Sequence, residues 1–379
     1  MIRVGMHLAA EIRSYERAAT AMQRVLGHGF SAKTIERLVG QVGAELRQQQ
    51  ESASSGQEVV VPKLAVVSCD GGRIHTREAG HGPGVFAAQW RETKNASFER
   101  MLPGEASLTD PCPELPETFR HVEKVASLAE SAALATVEEG VAQQAPERPV
   151  YKAPKRLLRT CLSSLAKSRK FGQQMQREAA RRRFFAAGQG VFIGDGLPWN
   201  WSIWQEHFPT FTPILDFIHA VQYLFSAAKA WEASDPERWS RYLRLAEACW
   251  QGRAAEVIEQ LHAELRARGL GPEDEVEEDS PHEPLVAAAR YLQNNLTRLD
   301  YPRYRSAGLP ITSAPMESLV KQINLRVKGT EMFWNDPTGA EPILQLRAAS
   351  LSEDDRLDHY LRQRPGSPFT RRAPLQTAA

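Results

Sequence analysis

The stretch Leu64-Ala65-Val66-Val67-Ser68-Cys69-Asp70, followed by Gly71-Gly72, decides how the chain folds. A short apolar run of this kind is typical of a buried strand, and this one ends on a carboxylate. A second run, Gly190-Val191-Phe192-Ile193-Gly194, ends in the same way on Asp195. Because ligands bind beyond the carboxyl ends of buried strands, Asp70 and Asp195 are candidate site residues.

A third acid, Glu317, opens a predicted helix in the segment Pro315-Met316-Glu317-Ser318-Leu319-Val320-Lys321. Taken alone, an Asp-Gly pair is an ordinary turn signal, but three acids in this order of elements favour a site. Carboxylates are hard ligands that could hold two divalent cations against a phosphodiester. One cation would activate the attacking hydroxyl and the other would stabilise the leaving oxygen. The pattern predicts a two-metal site for Mg²⁺ (or Mn²⁺) at Asp70, Asp195 and Glu317.

The composition limits the class of protein. The chain has 379 residues, 42% of them hydrophobic, and a net charge of only +1. This length predicts two or three domains. Charge is local, with a basic segment at residues 152–183 and an acidic one at 273–283. Four scattered cysteines favour neither a zinc knuckle nor a disulfide framework. With no apolar stretch of about 18 residues and no leader, we expect no membrane contact and a cytoplasmic location.

The N-terminus has a helix-turn-helix outline. Residues 9–26 predict a helix, residues 27–30 a turn, and Ser31 the N-cap of a second helix. In a DNA-binding helix-turn-helix the second helix reads the major groove, and a plain helical hairpin is the alternative. The DNA-contact candidates on this helix are Lys33, Thr34 and Arg37.

The remaining pattern predicts an α/β protein with an RNase H-like core. After a linker at 48–57, strands are expected at residues 59–70, 73–77 and 85–91, as a meander with turns at Gly71-Gly72 and 80–84. The pattern also predicts a helix at 117–140, a bent helix at 155–187 and a strand at 211–216. Further helices are expected at 217–231, at 238–270 with a break at Gly252, at 284–299 and at 316–327.

Several neighbours of the acids could contact DNA. Lys321 lies one helical turn beyond Glu317 and could bind a phosphate or simply pair with Glu317. Arg73 follows the glycine pair, and Arg326 and Lys328 extend a basic face. Trp199, Trp201 and Trp204 crowd after Asp195. They could stack on a flipped base, although core packing is favoured for at least two of them.

Four motifs follow one another in order over about residues 59–364. The first is Asp70-Gly71-Gly72-Arg73 followed by Gln89-Trp90-Arg91-Glu92-Thr93-Lys94, and the second is Gly194-Asp195-Gly196 with Trp199 and Trp204. The third, Asp216-Phe217-Ile218-His219, matches a "C or D, two residues, H" motif. The last is Pro315-Met316-Glu317-Ser318 with Lys321-Gln322-Ile323-Asn324 and Arg326-Val327-Lys328-Gly329. Together these motifs resemble those of bacterial insertion-sequence DDE transposases of the Mutator-like superfamily.

The resemblance implies an RNase H-like fold in which Asp70, Asp195 and Glu317 are the catalytic acids, with Asp216 and His219 beside them. It implies metal-dependent cleavage at element ends and strand transfer into target DNA. The partners would be double-stranded DNA (terminal inverted repeats and target) and further copies of the chain on paired ends. The implied organisation is a DNA-binding-like segment (1–50), a first core part (59–216), an all-helical insertion (217–305), a closing segment (306–364) and a disordered tail (365–379).

Two alternatives stay open at this level. Relatives carry more N-terminal sequence, so the chain is expected to be truncated at this end, and a decayed transposase that binds DNA without cutting it is the first alternative. The second is a two-carboxylate glycosidase with tryptophans as sugar platforms. The basic segment and the Glu317-Ser318-x-x-Lys321 setting disfavour the glycosidase.

Overall fold

The computed structural model describes most of the chain, namely residues 1–51, 60–77, 89–130, 151–271, 273–277, 279–329, 333–334 and 339–364. The predicted disordered tail lies outside the described residues, as do residues 80–84 of the predicted hairpin turn and the last part of the helix expected at 117–140.

A five-stranded mixed sheet forms the centre of the protein. Its strands are β1 (Leu64–Thr76), β2 (Gln89–Leu102), β3 (Lys155–Ser164), β4 (Gln189–Gly194) and β5 (Thr212–Leu215). Their order across the sheet is β3-β2-β1-β4-β5. Strand β2 runs antiparallel to β1 and β3, whereas β1, β4 and β5 are mutually parallel. The predicted α/β class is confirmed in this mixed form.

Fourteen α-helices surround the sheet within the described part of the chain. They are α1 (Ile2–Glu11), α2 (Tyr15–Leu26), α3 (Ala32–Glu51), α4 (Val122–Glu130), α5 (Ser168–Arg181), α6 (Pro198–His207), α7 (Phe217–Trp231), α8 (Asp235–Trp250), α9 (Ala254–Ala267), α10 (Glu283–Asn295), α11 (Tyr301–Ser306), α12 (Ala314–Val327), α13 (Glu341–Leu351) and α14 (Arg356–Gln363). The predictions of a strand at 211–216, a helix at 217–231 and a break at Gly252 are confirmed. Gly252 has φ +80°, a value that favours glycine.

The predicted turn at Gly71-Gly72 is wrong. Strand β1 continues through both glycines to Thr76, and Gly72 pairs with Thr93 of β2. A Cβ on Gly72 would lie 2.5 Å from the Thr93 Oγ1 atom. The glycine therefore allows close packing inside a strand, which a sequence reading cannot separate from a turn signal. The separate strands expected at 59–70 and 73–77 are one strand.

The bent helix expected at 155–187 is also wrong. Its first part is strand β3, and only α5 is α-helical. Residues 159–164 of β3 are buried while Lys155 and Arg156 are exposed. Pairing with β2 stabilises a strand whose basic, weakly apolar sequence lacks a clear period of two.

The single helix expected at 9–26 is two helices. The chain turns after α1, and the Ser14 Oγ accepts a hydrogen bond from the Arg17 N–H at 3.2 Å, which starts α2. The Ser31 cap is as predicted, since its Oγ accepts from the Thr34 N–H at 3.2 Å. Helix α3 extends to Glu51, into the expected linker.

Two apolar clusters hold the molecule together. One lies between the sheet and helices α4–α11, and the other joins α1–α3 to α12–α14. Helix α3 packs closely on α13, where Gly43 lies against Pro342 with no space for a Cβ. The described residues between Phe217 and Ser306 are helices and connections, without strands. This helical block comes between β5 and α12 in the chain.

Candidate active site

Strands β4 and β5 end level with Cys69 of β1, and an aspartate follows at this level in each of the three parallel strands, although β1 itself continues to Thr76. Cys69 of β1 pairs with Gly194 of β4, which pairs with Leu215 of β5. The next residues are Asp70, Asp195 and Asp216. Since neighbouring strands lie about 5 Å apart, the sheet edge carries a row of three closely spaced carboxylates.

Asp216 is fully buried and begins α7. Its Oδ1 atom accepts a hydrogen bond from the Ile218 N–H at 3.0 Å, an N-cap interaction. Its Oδ2 atom accepts a hydrogen bond from the Ser313 hydroxyl and lies 4.0 Å from the His219 Nε2. Asp216 thereby connects the end of β5 to the start of α12.

Glu317 reaches the same edge from the first turn of α12. The buried side chains Met316, Leu319 and Ile323 hold this helix in the second apolar cluster. Glu317 is only 2% exposed, and neither of its carboxylate oxygens has a hydrogen-bond partner among the residues that the structure describes. A buried carboxylate without partners is costly, so the protein provides a place for a donor or a cation here.

Asp195 is held by the turn into α6. Its Oδ1 atom accepts hydrogen bonds from the Leu197 N–H at 2.9 Å and from the Asn200 side-chain amide. Its backbone carbonyl accepts from the Tyr291 hydroxyl of α10 at 2.7 Å. The next residue, Gly196, has φ +93°, and a Cβ there would lie 2.4 Å from the Tyr291 ring. The helical block thus contacts the site directly.

Burial and close spacing change the pKa values of the acids. Burial, and then the neighbouring Asp195, raises the pKa of Asp70 to about 6. Burial and then Asp216 raise the pKa of Glu317 to about 7. Burial also raises the pKa of Asp195, partly offset by the Leu197 N–H. Burial alone would lower the pKa of His219, but Asp216 and the other three acids outweigh it and raise that pKa.

The ligand set fits a divalent cation. Atoms of Asp216, His219 and Glu317 all lie within 4.8 Å of one another, and Asp70 and Asp195 interact electrostatically with the same group. Hard cations prefer carboxylate oxygens, and a cation would neutralise the unpartnered Glu317. The structure therefore brings Glu317 within ligand distance of the predicted Asp216–His219 pair, and Asp70 and Asp195 lie within electrostatic range of this group.

The predicted DNA-contact residues do not share one environment. Arg73 and Lys328 are exposed, and Lys321 is partly exposed. Burial lowers the pKa of Lys321, which the nearby Glu317 partly offsets. Arg326 is 1% exposed and donates to backbone carbonyls of the N-terminal helices, with its Nε 2.6 Å from the Ala9 oxygen. The prediction that Arg326 contacts DNA is wrong, because its guanidinium fixes α12 to α1.

The N-terminal candidates remain accessible in part. Lys33 and Arg37 are exposed and Thr34 is partly buried, while the Thr34 Oγ1 lies 3.0 Å from the Ser31 hydroxyl. The opposite face of α3 packs on α13. This arrangement leaves Lys33 and Arg37 as DNA-contact predictions and gives Thr34 a local capping contact.

The three tryptophans after Asp195 are mainly structural. Trp201 is buried in the core and donates to the Asn295 side chain at 2.8 Å, and the Trp204 Nε1 donates to the Phe211 carbonyl at 2.8 Å. Trp199 is partly buried, with the Lys94 Nζ 4.1 Å from its ring centre. Core packing was the favoured interpretation for at least two of the three tryptophans, and it applies to Trp201 and Trp204.

Sequence reasoning placed Asp216 beside the site and missed two supporting residues. Asp216 follows an apolar run of sequence as Asp70 and Asp195 do, which was a usable signal for a third carboxylate in the row. Asn200 and Tyr291, which hold Asp195, carried no such signal. Their role depends on helix packing, not on a motif.

No protein-family model matches the chain, and no curated protein matches its sequence. Among solved structures, the chain is similar to a Drosophila P element transposase strand transfer complex, with a TM-score of 0.41 and 8% sequence identity over 93% of this chain and 92% of that chain. No helix in the described residues is long and apolar enough to cross a membrane.

Proposed function

We propose that the protein is a metal-dependent DNA transposase of the DDE type, and that its sheet is the core of an RNase H-like domain. The observation that carries the proposal is the buried, unpartnered Glu317 carboxylate opposite a row of three aspartates. The order β3-β2-β1-β4-β5, with only β2 antiparallel, supports the RNase H-like interpretation. We also propose that the protein belongs to the Mutator-like superfamily and comes from a bacterium.

In this proposal Asp70, Asp195 and Glu317 bind Mg²⁺ (or Mn²⁺) as the catalytic acids. When bound, the metal would supply charge stabilisation for phosphoryl transfer. The chain's own residues perform the positioning on which such reactions depend. The Leu197 N–H and the Asn200 amide orient Asp195, and Asp216, through Ser313, holds the start of the helix that carries Glu317.

DNA is the proposed substrate because basic side chains accompany the acids. Arg73 and Lys328 are exposed, and Lys321 follows Glu317 by one turn of α12. Such cations bind phosphates without reading sequence. Residues Lys33 and Arg37 would add contacts at the N-terminal segment (1–50). The same proposal includes a core at 59–216 and 306–364, a helical insertion at 217–305, and assembly on paired DNA ends.

The test is metal-dependent nicking of a supercoiled plasmid, which requires no knowledge of the element ends. We expect nicking with Mg²⁺ or Mn²⁺, and a decrease of roughly 100-fold or more for Asp70→Asn, Asp195→Asn and Glu317→Gln. Glu256→Gln, an exposed change on α9, is the control and should nick normally. Joining of an oligonucleotide 3′-hydroxyl to the plasmid would establish strand transfer. Wild-type nicking by Asp195→Asn would refute the proposal, and DNA binding without nicking would support the binding-only alternative.

A further inference from the structure

Beyond the acids, strands β1 and β2 continue as a two-stranded ribbon. Strand β4 ends at Gly194, level with Cys69, whereas β1 runs on to Thr76 and remains paired with β2 as far as Gln89. At about 3.3 Å per residue, the end of the ribbon lies about 20 Å beyond Asp70. DNA bound at the acids would pass beside this ribbon.

Aromatic side chains gather at the far part of the ribbon. The rings of His75 and Trp90, which are cross-strand partners, have centres 3.4 Å apart, and the Phe333 ring stacks on His75 at 5.2 Å with an interplanar angle of 16°. Trp90 is 50% exposed, although a large aromatic side chain is normally buried. We refer to His75, Trp90 and Phe333 as the aromatic platform.

The platform is fixed by backbone hydrogen bonds. The Trp334 N–H donates to the His75 carbonyl at 3.0 Å, and the Arg77 N–H donates to the Trp334 carbonyl at 2.9 Å. The Trp334 indole Nε1 donates to the Val327 carbonyl at the end of α12, at 3.0 Å. The platform is therefore connected to the helix that carries Glu317 and is held in place before any ligand binds.

Positive charge surrounds the platform. The Lys328 Nζ lies 5.1 Å from the centre of the Trp90 ring, and the Arg77 guanidinium lies 5.1 Å from that of Phe333. Arg73 is exposed on β1, the strand that carries His75. The nearby acid, Glu92, is paired with Lys94 at 2.8 Å. Trp90 is exposed, and His75 and Phe333 are partly buried behind it. An accessible aromatic ring with adjacent cations is the combination by which proteins bind unpaired nucleotides.

We propose that the aromatic platform stacks on an unpaired DNA base while Arg77 and Lys328 contact the neighbouring phosphates. His75 is five residues beyond Asp70, a distance of about 16 Å along the strand. At 3.4 Å per nucleotide, the base is about five nucleotides from the phosphate at the acids. This last distance rests on the proposed function, whereas the binding of unpaired DNA does not.

The experiment measures binding without cleavage. Fluorescence anisotropy in EDTA would compare a labelled oligothymidylate of about 20 nucleotides with a blunt duplex of about the same length. We expect Trp90→Ala to weaken binding of the oligothymidylate about tenfold and of the duplex less than about twofold, because base stacking contributes in the single strand alone. Trp90→Phe retains a stacking ring and should remain within about threefold of wild type.

A matched control separates stacking from general loss of aromatic surface. Phe185 is 44% exposed and lies before β4, at the opposite edge of the sheet, so Phe185→Ala should leave both affinities unchanged. Lys328→Ala should reduce the salt dependence of binding by about one phosphate contact.

The platform would be overturned if wild type and Trp90→Ala bound oligothymidylate with equal affinity. It would also be overturned if Trp90→Ala lost the same factor of affinity for oligothymidylate and for the duplex. Plasmid nicking distinguishes this failure from failure of the proposed function. If the wild-type protein does not nick plasmid DNA but Trp90→Ala still weakens the binding of oligothymidylate, the platform is supported and the nuclease activity is refuted.

Discussion

Removing the charge of Glu317 should stabilise the metal-free protein. The pKa of Glu317 is raised from 4.5 to about 7, first by burial and then by Asp216. Each pKa unit corresponds to about 1.4 kcal/mol, so ionised Glu317 costs the folded state roughly 3 kcal/mol above pH 7. Glu317→Gln keeps the shape without the charge. We expect it to raise the free energy of unfolding by about 2–3 kcal/mol at pH 8, equivalent to about 3–5 °C in Tm for a chain of this size.

The pH dependence gives the sign of the effect. The folded state binds the Glu317 proton more tightly than the unfolded state, so stability falls as pH rises from about 4.5 to about 7. The advantage of Glu317→Gln should therefore be greatest above pH 7, decrease as pH falls below 7, and vanish near pH 4.5. Urea unfolding in EDTA at pH 5 and pH 8 measures it.

A second buried glutamate provides the control. Glu341 accepts hydrogen bonds from the Ser164 hydroxyl at 2.8 Å and from the Leu165 N–H at 2.7 Å. Since an amide cannot replace both acceptors, Glu341→Gln should destabilise the protein by about 1–3 kcal/mol. Saturating Mg²⁺ should stabilise the wild type, by about 2.7 kcal/mol at a hundred times Kd, and should stabilise Glu317→Gln much less.

The reasoning is refuted if Glu317→Gln behaves like Glu341→Gln at pH 8, because Glu317 would then have native donors. An equal Mg²⁺ effect on wild type and Glu317→Gln would separately exclude Glu317 as a ligand.

Three further substitutions test how the site is held. Tyr291→Phe removes the hydrogen bond to the Asp195 carbonyl; we expect a loss of about 1 kcal/mol in urea unfolding and slower plasmid nicking with unchanged DNA binding. Gly72→Ala places a Cβ 2.5 Å from the Thr93 Oγ1 and should cost about 1–3 kcal/mol in the same unfolding assay. Arg326→Met leaves carbonyls of the N-terminal helices without their donor, so we expect it to lower stability by about 2–4 kcal/mol without reducing DNA affinity, as measured by anisotropy.

The parts of the fold that follow from local pattern could be predicted. The apolar runs before Asp70 and Asp195 became β1 and β4, since a fully buried strand must be apolar on both faces. Strand β3 could not be predicted, because Lys155 and Arg156 obscure its pattern and its stability comes from pairing with β2. Local sequence also could not distinguish Gly72 as a packing glycine from Gly72 as a turn.

The site was predictable to the extent that strand ends specify it. Asp70 and Asp195 meet because β1 and β4 are parallel neighbours, an arrangement that the order of elements suggested. Arg326 was misjudged because a basic residue on an amphipathic helix is normally exposed. Its burial depends on the N-terminal helices, which are about 310 residues distant in sequence.

Differences in hydrogen bonding give three of the carboxylates different roles. Asp216 is satisfied by the Ile218 N–H and Ser313, and Asp195 by the Leu197 N–H and Asn200. Both carboxylates therefore have hydrogen-bond donors within the protein. Glu317 has no donor within the described part of the chain, and its raised pKa means that it is partly protonated near neutrality. A cation that enters must displace this proton, so metal affinity should increase with pH up to about 7 and should depend more on Glu317 than on Asp216.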